Sequence, residues 1–223
     1  LDGSARRVTQ YVDNGNYGDN KVKFGAYYGG SSKRSMKNLD LANKRKNAWG
    51  TGLIFNHEID SIQNVTVAAG FTRQISENAN KTAYYSNAYA LGLAYNFVHT
   101  TYGLDLAHKD TKNKGGAGNK VKNNEVTAVI RQGLNEDWNV YAMYSYKTEK
   151  TLPVGSAYSK STDRQFLVGT EYYVFKQGSV KVKPFIEWQA TRTKYENTFD
   201  KDSGKQLDRS RDFKTVIGLR AYW

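Results

Sequence analysis

Nine cations recur at alternate positions of strand-like runs: Lys21 and Lys23, Lys109, Arg131, Lys147, Lys181 and Lys183, Lys214 and Arg220. Successive side chains of a strand point to opposite faces, so this spacing gathers the cations on one surface. Asp105, Glu125, Glu149, Glu171, Glu187 and Asp212 fall on the same surface. Cations interleaved with fewer acids attract anions and hold them weakly at many points, as conduction requires, since a solute must also leave. Arg131 and Arg220 have the planar fork that grips carboxylates, and Tyr27, Tyr141 and Tyr173 offer rings that can stack on sugars. The same residues equally suit a salt-bridged network filling a narrow interior, and the sequence leaves both readings open.

Catalytic constellations are scarce. The histidines are His57, His99 and His108, and none has the H-E-x-x-H spacing of a metal site. His108 with Asp105 or Asp110 is a candidate dyad, without a second acidic pair to complete a hydrolase. The glycine-rich run from Lys112 to Gly118 lacks the Gly-Lys-Ser/Thr ending of a phosphate-binding loop. With no cysteine in 223 residues, thiolate catalysis, disulfides and cysteine zinc sites are excluded. The expectation is a protein that is not an enzyme and uses no cofactor or metal.

The elements that must position the cations are strands. Alternating runs cover 21–29, 47–59, 64–75, 84–97, 101–110, 124–134, 138–149, 164–175, 180–195 and 212–223. Their connections alternate in length. Short ones lie at 60–63, 98–100, 135–137 and 176–179; long polar ones at 30–46, 76–83, 111–123, 150–163 and 196–211. Most runs are near the roughly 9–11 residues of a tilted membrane strand. Alternating short turns and long loops are the asymmetry of outer-membrane barrels, and a soluble sandwich has no physical reason for it. Mean hydropathy of −0.73 is compatible, because polar interior residues dilute the apolar face. In the run 138–149, Trp138, Val140, Ala142, Tyr144 and Tyr146 share the face suited to lipid, opposite Asn139, Tyr141, Met143, Ser145, Lys147 and Glu149.

The reading is therefore all-β: a closed antiparallel transmembrane β-barrel of about 10–12 strands, with short periplasmic turns and long extracellular loops. It is integral to the bacterial outer membrane, and the sequence reads as a mature form without signal peptide. Residues 21–223 form the barrel. Residues 1–20 are a tail, a segment in the lumen, or a first strand. The net charge of +12 is spread over the chain rather than clustered, which speaks against nucleic acid. Partners are outer-membrane lipid and lipopolysaccharide, and small anionic solutes; the basic first long loop, with Lys33-Arg34 and Lys44-Arg-Lys46, reads either as a contact to lipopolysaccharide phosphates or, with slightly more weight, as a solvated loop, and the protein is expected to be a monomer.

The C-terminal hairpin, Val182-Lys-Pro-Phe-Ile-Glu-Trp188 and Arg211-Asp-Phe-Lys-Thr-Val-Ile-Gly-Leu-Arg-Ala-Tyr-Trp223, resembles those of small monomeric porins of the KdgM/NanC type. The resemblance covers about the last 40 residues, and the chain departs from it in ending on Trp223. It implies a twelve-stranded barrel that passes acidic oligosaccharides through an arginine- and lysine-lined lumen. The functional expectation is passive diffusion of small solutes, anion-selective, including acidic sugars. Two alternatives stand beside it. One is an autotransporter translocator, in which Ser4 caps a short helix through Arg6–Tyr11 and residues 1–20 thread the lumen. The other is an adhesin or structural barrel acting through its loops.

Overall fold

The computed structural model describes residues 7–17, 19–30, 43–78, 83–113, 120–153, 157–178, 180–198 and 206–222, without the side chains of 7–17, 43–45, 77, 78 and 113. They form one antiparallel sheet of twelve strands: β1 (Arg7–Tyr17), β2 (Asn20–Gly29), β3 (Asn43–Asp60), β4 (Gln63–Asn78), β5 (Ala83–Phe97), β6 (Thr100–Asn113), β7 (Lys120–Gly133), β8 (Trp138–Leu152), β9 (Ser159–Tyr172), β10 (Phe175–Gln177), β11 (Val180–Glu196) and β12 (Arg209–Tyr222). Each full-length strand pairs with its sequence neighbours, and the three-residue β10 continues the line of β9 along β11.

Residues 7–17 are a strand paired to β2, with Arg7 opposite Gly29 and Tyr17 opposite Asn20. The helix expected over this stretch in the translocator reading is thus replaced by sheet. Val8, Thr9, Tyr11 and Val12 are β-branched or aromatic residues that favour strands, and Asp19 lies in the turn before β2. Trp223, Ser4, Lys33 and Arg34 lie outside the described residues, whereas Lys44-Arg-Lys46 falls inside β3 rather than in a loop.

Strand lengths depart from expectation. β3 runs 18 residues, β4 16 and β11 17, so much of the polar sequence expected in long loops is sheet. The connection between β4 and β5 shrinks to 79–82. Apolar alternation ends before the hydrogen-bond ladder does, because the ladder continues while backbone groups remain paired.

The short turns are built by identifiable side chains. Asp60 Oδ1 accepts from the Ile62 N–H at 2.9 Å while Gln63 Nε2 donates to Asp60 Oδ2 at 2.8 Å. Asn135 Oδ1 accepts from the N–H groups of Asp137 and Trp138, at 2.9 and 2.8 Å. Such Asx contacts replace a turn's backbone bonds. Between β9 and β10, Tyr172–Val174 face Lys183 and Pro184 of β11. The extra residue is a bulge beside a proline, which has no N–H to give the ladder.

The register separates two faces. The convex face carries Phe24, Leu53, Leu91, Leu93, Leu104, Leu106, Ile130, Val168, Ile186, Ile217 and Leu219, all exposed. Aromatic residues border this band at both ends. Trp49, Phe71 and Tyr89 form a ladder across β3, β4 and β5, with ring centroids 5.0 and 4.9 Å apart. Tyr95, Tyr102, Trp138 and Tyr172 mark the short-turn end. On the opposite face, side chains reach over an intervening strand, as Tyr27 does to Thr72 at 3.1 Å. β2 to β8 curl around a cavity of ≈ 1000 Å³ on that side. A single fully apolar core is therefore missing among the described residues: Ala48 is the buried hydrophobic side chain, while Glu171 and Lys183 are buried charges.

Candidate functional site

All nine predicted cations stand on the concave face. The structure divides them into two groups with different chemistry.

The first group is a closed ionic network near the short-turn end. Glu171 of β9, 4% exposed, is its centre. Its Oε1 accepts from Lys183 Nζ of β11 at 2.8 Å and from Arg131 of β7 at 2.7 Å; its Oε2 accepts from Arg220 of β12 at 2.7 Å. Arg220 also donates to Glu187 Oε1 at 3.0 Å, and the Tyr141 hydroxyl donates to that oxygen at 2.6 Å. Five strands are tied together. Three cations meet two carboxylates, so the network keeps one positive charge. Burial makes the Glu171–Lys183 contact the consequential one, because an uncompensated charge away from water is costly, whereas Arg131 and Arg220 remain partly exposed.

Glycines make the network possible. A Cβ on Gly169 would lie 2.5 Å from the Tyr141 ring, and one on Gly218 2.4 Å from the Phe185 ring. Both rings lie flat across the neighbouring strand where no side chain stands, the aromatic cover of glycine known in curved sheets. Arg220 stacks on Phe185, its Cζ 4.2 Å from the ring centre. Tyr173, two residues beyond Glu171 and so on the same face, carries Lys176 and Lys183 at 4.7 and 5.0 Å from its ring centre. The rings of Tyr141 and Tyr173, predicted to stack on sugars, are thus engaged by the protein. Tyr27 covers Gly50 in the same way, with a built Cβ 2.6 Å from its ring.

The second group lines the cavity. Lys23, Lys109 and Lys147 are exposed there, among Asp105, Glu125 and Glu149. None of the three lysines has an ion-pair partner within 4.0 Å among the described residues. Lys181 is likewise exposed and without one, beside Tyr222 on β12. Lys21 pairs with Glu58 at 2.8 Å and Lys214 with Asp212 at 3.0 Å.

Sequence reasoning missed Glu58 and Asp163, which share this face through their register with Asn64 and Lys147. They reduce the cationic excess that alternate positions suggested. The dyad of His108 with Asp105 is corrected: the two residues point to opposite faces, as positions three apart on a strand must. His108 lies on the convex side, its Nε2 3.1 Å from Asp110 Oδ2 and its Nδ1 2.6 Å from Asn124 Oδ1.

No protein-family model and no curated protein matches the sequence. Solved structures do resemble it. A loop L8 deletion mutant of OmpT, an outer membrane protein of Vibrio cholerae, superposes with a TM-score of 0.57 at 14% identity. The match covers 97% of this chain and 62% of that one, so this chain spans less than two thirds of that protein's length. The in-vitro folded trimer form of OmpT superposes at 0.49, with 11% identity over 94% of this chain and 82% of that one. At such identities the likeness to the deletion mutant is one of fold: an all-β antiparallel sheet of the outer-membrane barrel kind.

Proposed function

We propose that the chain is an integral β-barrel of the bacterial outer membrane, a channel through which small solutes diffuse with a preference for anions. The observation that carries the reading is the polarity of the sheet. An apolar convex face bordered by aromatic rings surrounds a charged concave face with a cavity. In water, so large a contiguous apolar surface would associate; against lipid it is the stable arrangement. The fold likeness to an outer membrane protein supports the location. Short turns then face the periplasm and long connections the outside.

Closure belongs to the proposal. β1 and β12 both run toward the short-turn end and have no pairing with each other among the described residues. Unpaired backbone groups cannot face hydrocarbon. They are satisfied by a parallel β1–β12 seam or by one further antiparallel strand between them.

Solute selection falls to the second group of cations. Arg131, Lys183 and Arg220 are held by Glu171 and Glu187, so Lys23, Lys109, Lys147 and Lys181 are the charges a passing anion meets. Acidic sugars and oligosaccharides belong to that class. In this reading the protein works as a monomer, surrounded by outer-membrane lipid and lipopolysaccharide, and without catalysis. Swelling of proteoliposomes in isotonic solutions of a uronic acid and of its neutral sugar tests it. Faster entry of the uronate is expected; swelling no faster than in protein-free liposomes would contradict the channel.

A further inference from the structure

Three arginines stand side by side on the convex face, where a membrane barrel should carry apolar groups. Arg192 of β11 pairs directly with Arg164 of β9 on one side and with Arg211 of β12 on the other. All three are exposed, and among the described residues no carboxylate lies within ion-pair distance of any of them. Like charges directly opposite in a ladder repel and destabilise the pair. The next convex positions toward the long connections add Lys194 and Arg209, again opposite each other. Here acids are present: Glu196 lies 3.7 Å from Lys194, and Asp208 lies 3.8 Å from Arg209. Within this patch, and among the described residues, the arginine row has no such compensation.

Its height on the barrel is informative. Below Arg211 on β12, the convex positions are Phe213, Thr215, Ile217, Leu219 and Ala221. Ten residues at about 3.3 Å each, tilted about 40°, climb about 25 Å, the height of the apolar band of an outer-membrane barrel. The row therefore meets the upper boundary of the hydrocarbon. Phe166, Ala190 and Phe213 lie directly beneath it, and the Arg164 guanidinium lies 6.0 Å from the ring centre of Tyr146. Aromatic residues mark the interface at this level. Planar guanidinium groups at that depth are matched to phosphate oxygens, which they grip two at a time.

We propose that Arg164, Arg192 and Arg211 form a binding site for the phosphate groups of an outer-leaflet lipid, the phosphorylated glucosamine headgroup of lipid A, on the outside of the barrel. The phosphate supplies the negative charge the row lacks, and the acyl chains lie on the apolar band below. This inference rests on the membrane-barrel reading. It moves the lipopolysaccharide contact from the basic stretch near residue 44 to the opposite part of the sheet.

The test uses the full chain folded in neutral detergent micelles, with native mass spectrometry counting retained lipid. Bisphosphorylated lipid A, dephosphorylated lipid A and inorganic phosphate are the probes. Near an anionic surface each basic residue is worth about fivefold in affinity, so the combined R164Q, R192Q and R211Q variant should bind bisphosphorylated lipid A about 100-fold more weakly. A K109Q and K147Q variant, altered only on the concave face, should bind as the parent does. Equal binding of dephosphorylated lipid A, or equal binding by the arginine variant, would overturn the proposal. Inorganic phosphate competing at the same concentration as lipid A would show an ion site rather than a lipid site, and would overturn it too. If the chain does not fold or insert in micelles or vesicles at all, the barrel reading fails and not the arginine row alone. Retention of heat-modifiable migration by the variant shows that its loss of lipid is not unfolding.

Discussion

Two oxygens of Glu171 hold three cations from three strands. Removing that charge leaves Lys183, 6% exposed, and two arginines facing one another. Breaking a buried ion pair from one side costs about 3–5 kcal/mol. Glu171→Gln should therefore lower stability by about that amount, measured by urea unfolding from lipid vesicles. A loss well under about 1 kcal/mol would mean that solvent already screens the network. Gly169→Val offers a second test at this scale, because its side chain would occupy the place of the Tyr141 ring. Overpacking of this kind costs about 1–3 kcal/mol. Gly52→Ala, where the nearest atom to a built Cβ is 3.5 Å away, should be tolerated. The alternating positions of these charges were legible in the sequence, since a period of two is enough to place them on one face. Their partners were not. That Glu171 meets Arg131 across β8, or that Gly169 lies under Tyr141, depends on register between strands far apart in the chain.

Strands place these residues, and their outer face sets the strongest constraint. Leu91 stands in the middle of the convex band, opposite Ala69 and Leu106, while its neighbour Ala90 faces the cavity. A lysine on the lipid face near the midplane costs about 2–4 kcal/mol, whereas one on the wet face costs far less. Leu91→Lys should destabilise the folded protein in vesicles by that amount and Ala90→Lys by roughly 1 kcal/mol or less. Equal effects would show that the face assignment of β5 is wrong. The alternation that separates Leu91 from Ala90 was visible in the sequence, and so was the order of the strands. Strand ends were not, because 43–46, 111–113 and 150–151 are polar yet remain in the ladder. Residues 7–17 were ambiguous for a related reason: Val8, Gln10 and Val12 alternate with Arg7, Thr9 and Tyr11 without a clean division of polarity.

At the scale of the whole molecule, a net charge of +12 is divided between two surfaces that the sequence pattern alone did not distinguish fully. The concave face is more nearly balanced than the chain, because Glu58 and Asp163 join the six carboxylates expected there. Much of the remaining positive charge sits on the convex face near the long connections, in residues such as Arg164, Arg192 and Arg211. Selectivity is accordingly expected to be modest and to depend on the cavity lysines. Charge reversal of Lys23, Lys109 and Lys147 together should invert the preference while leaving the fold intact. Lys183, buried against Glu171, is the wrong residue for that purpose. The most direct test of the channel is the reversal potential of the protein in a planar lipid bilayer under a potassium chloride gradient. The account predicts a stable open conductance whose reversal potential is displaced toward chloride. A displacement toward potassium would contradict the anion preference, and the absence of any conductance would contradict the channel itself.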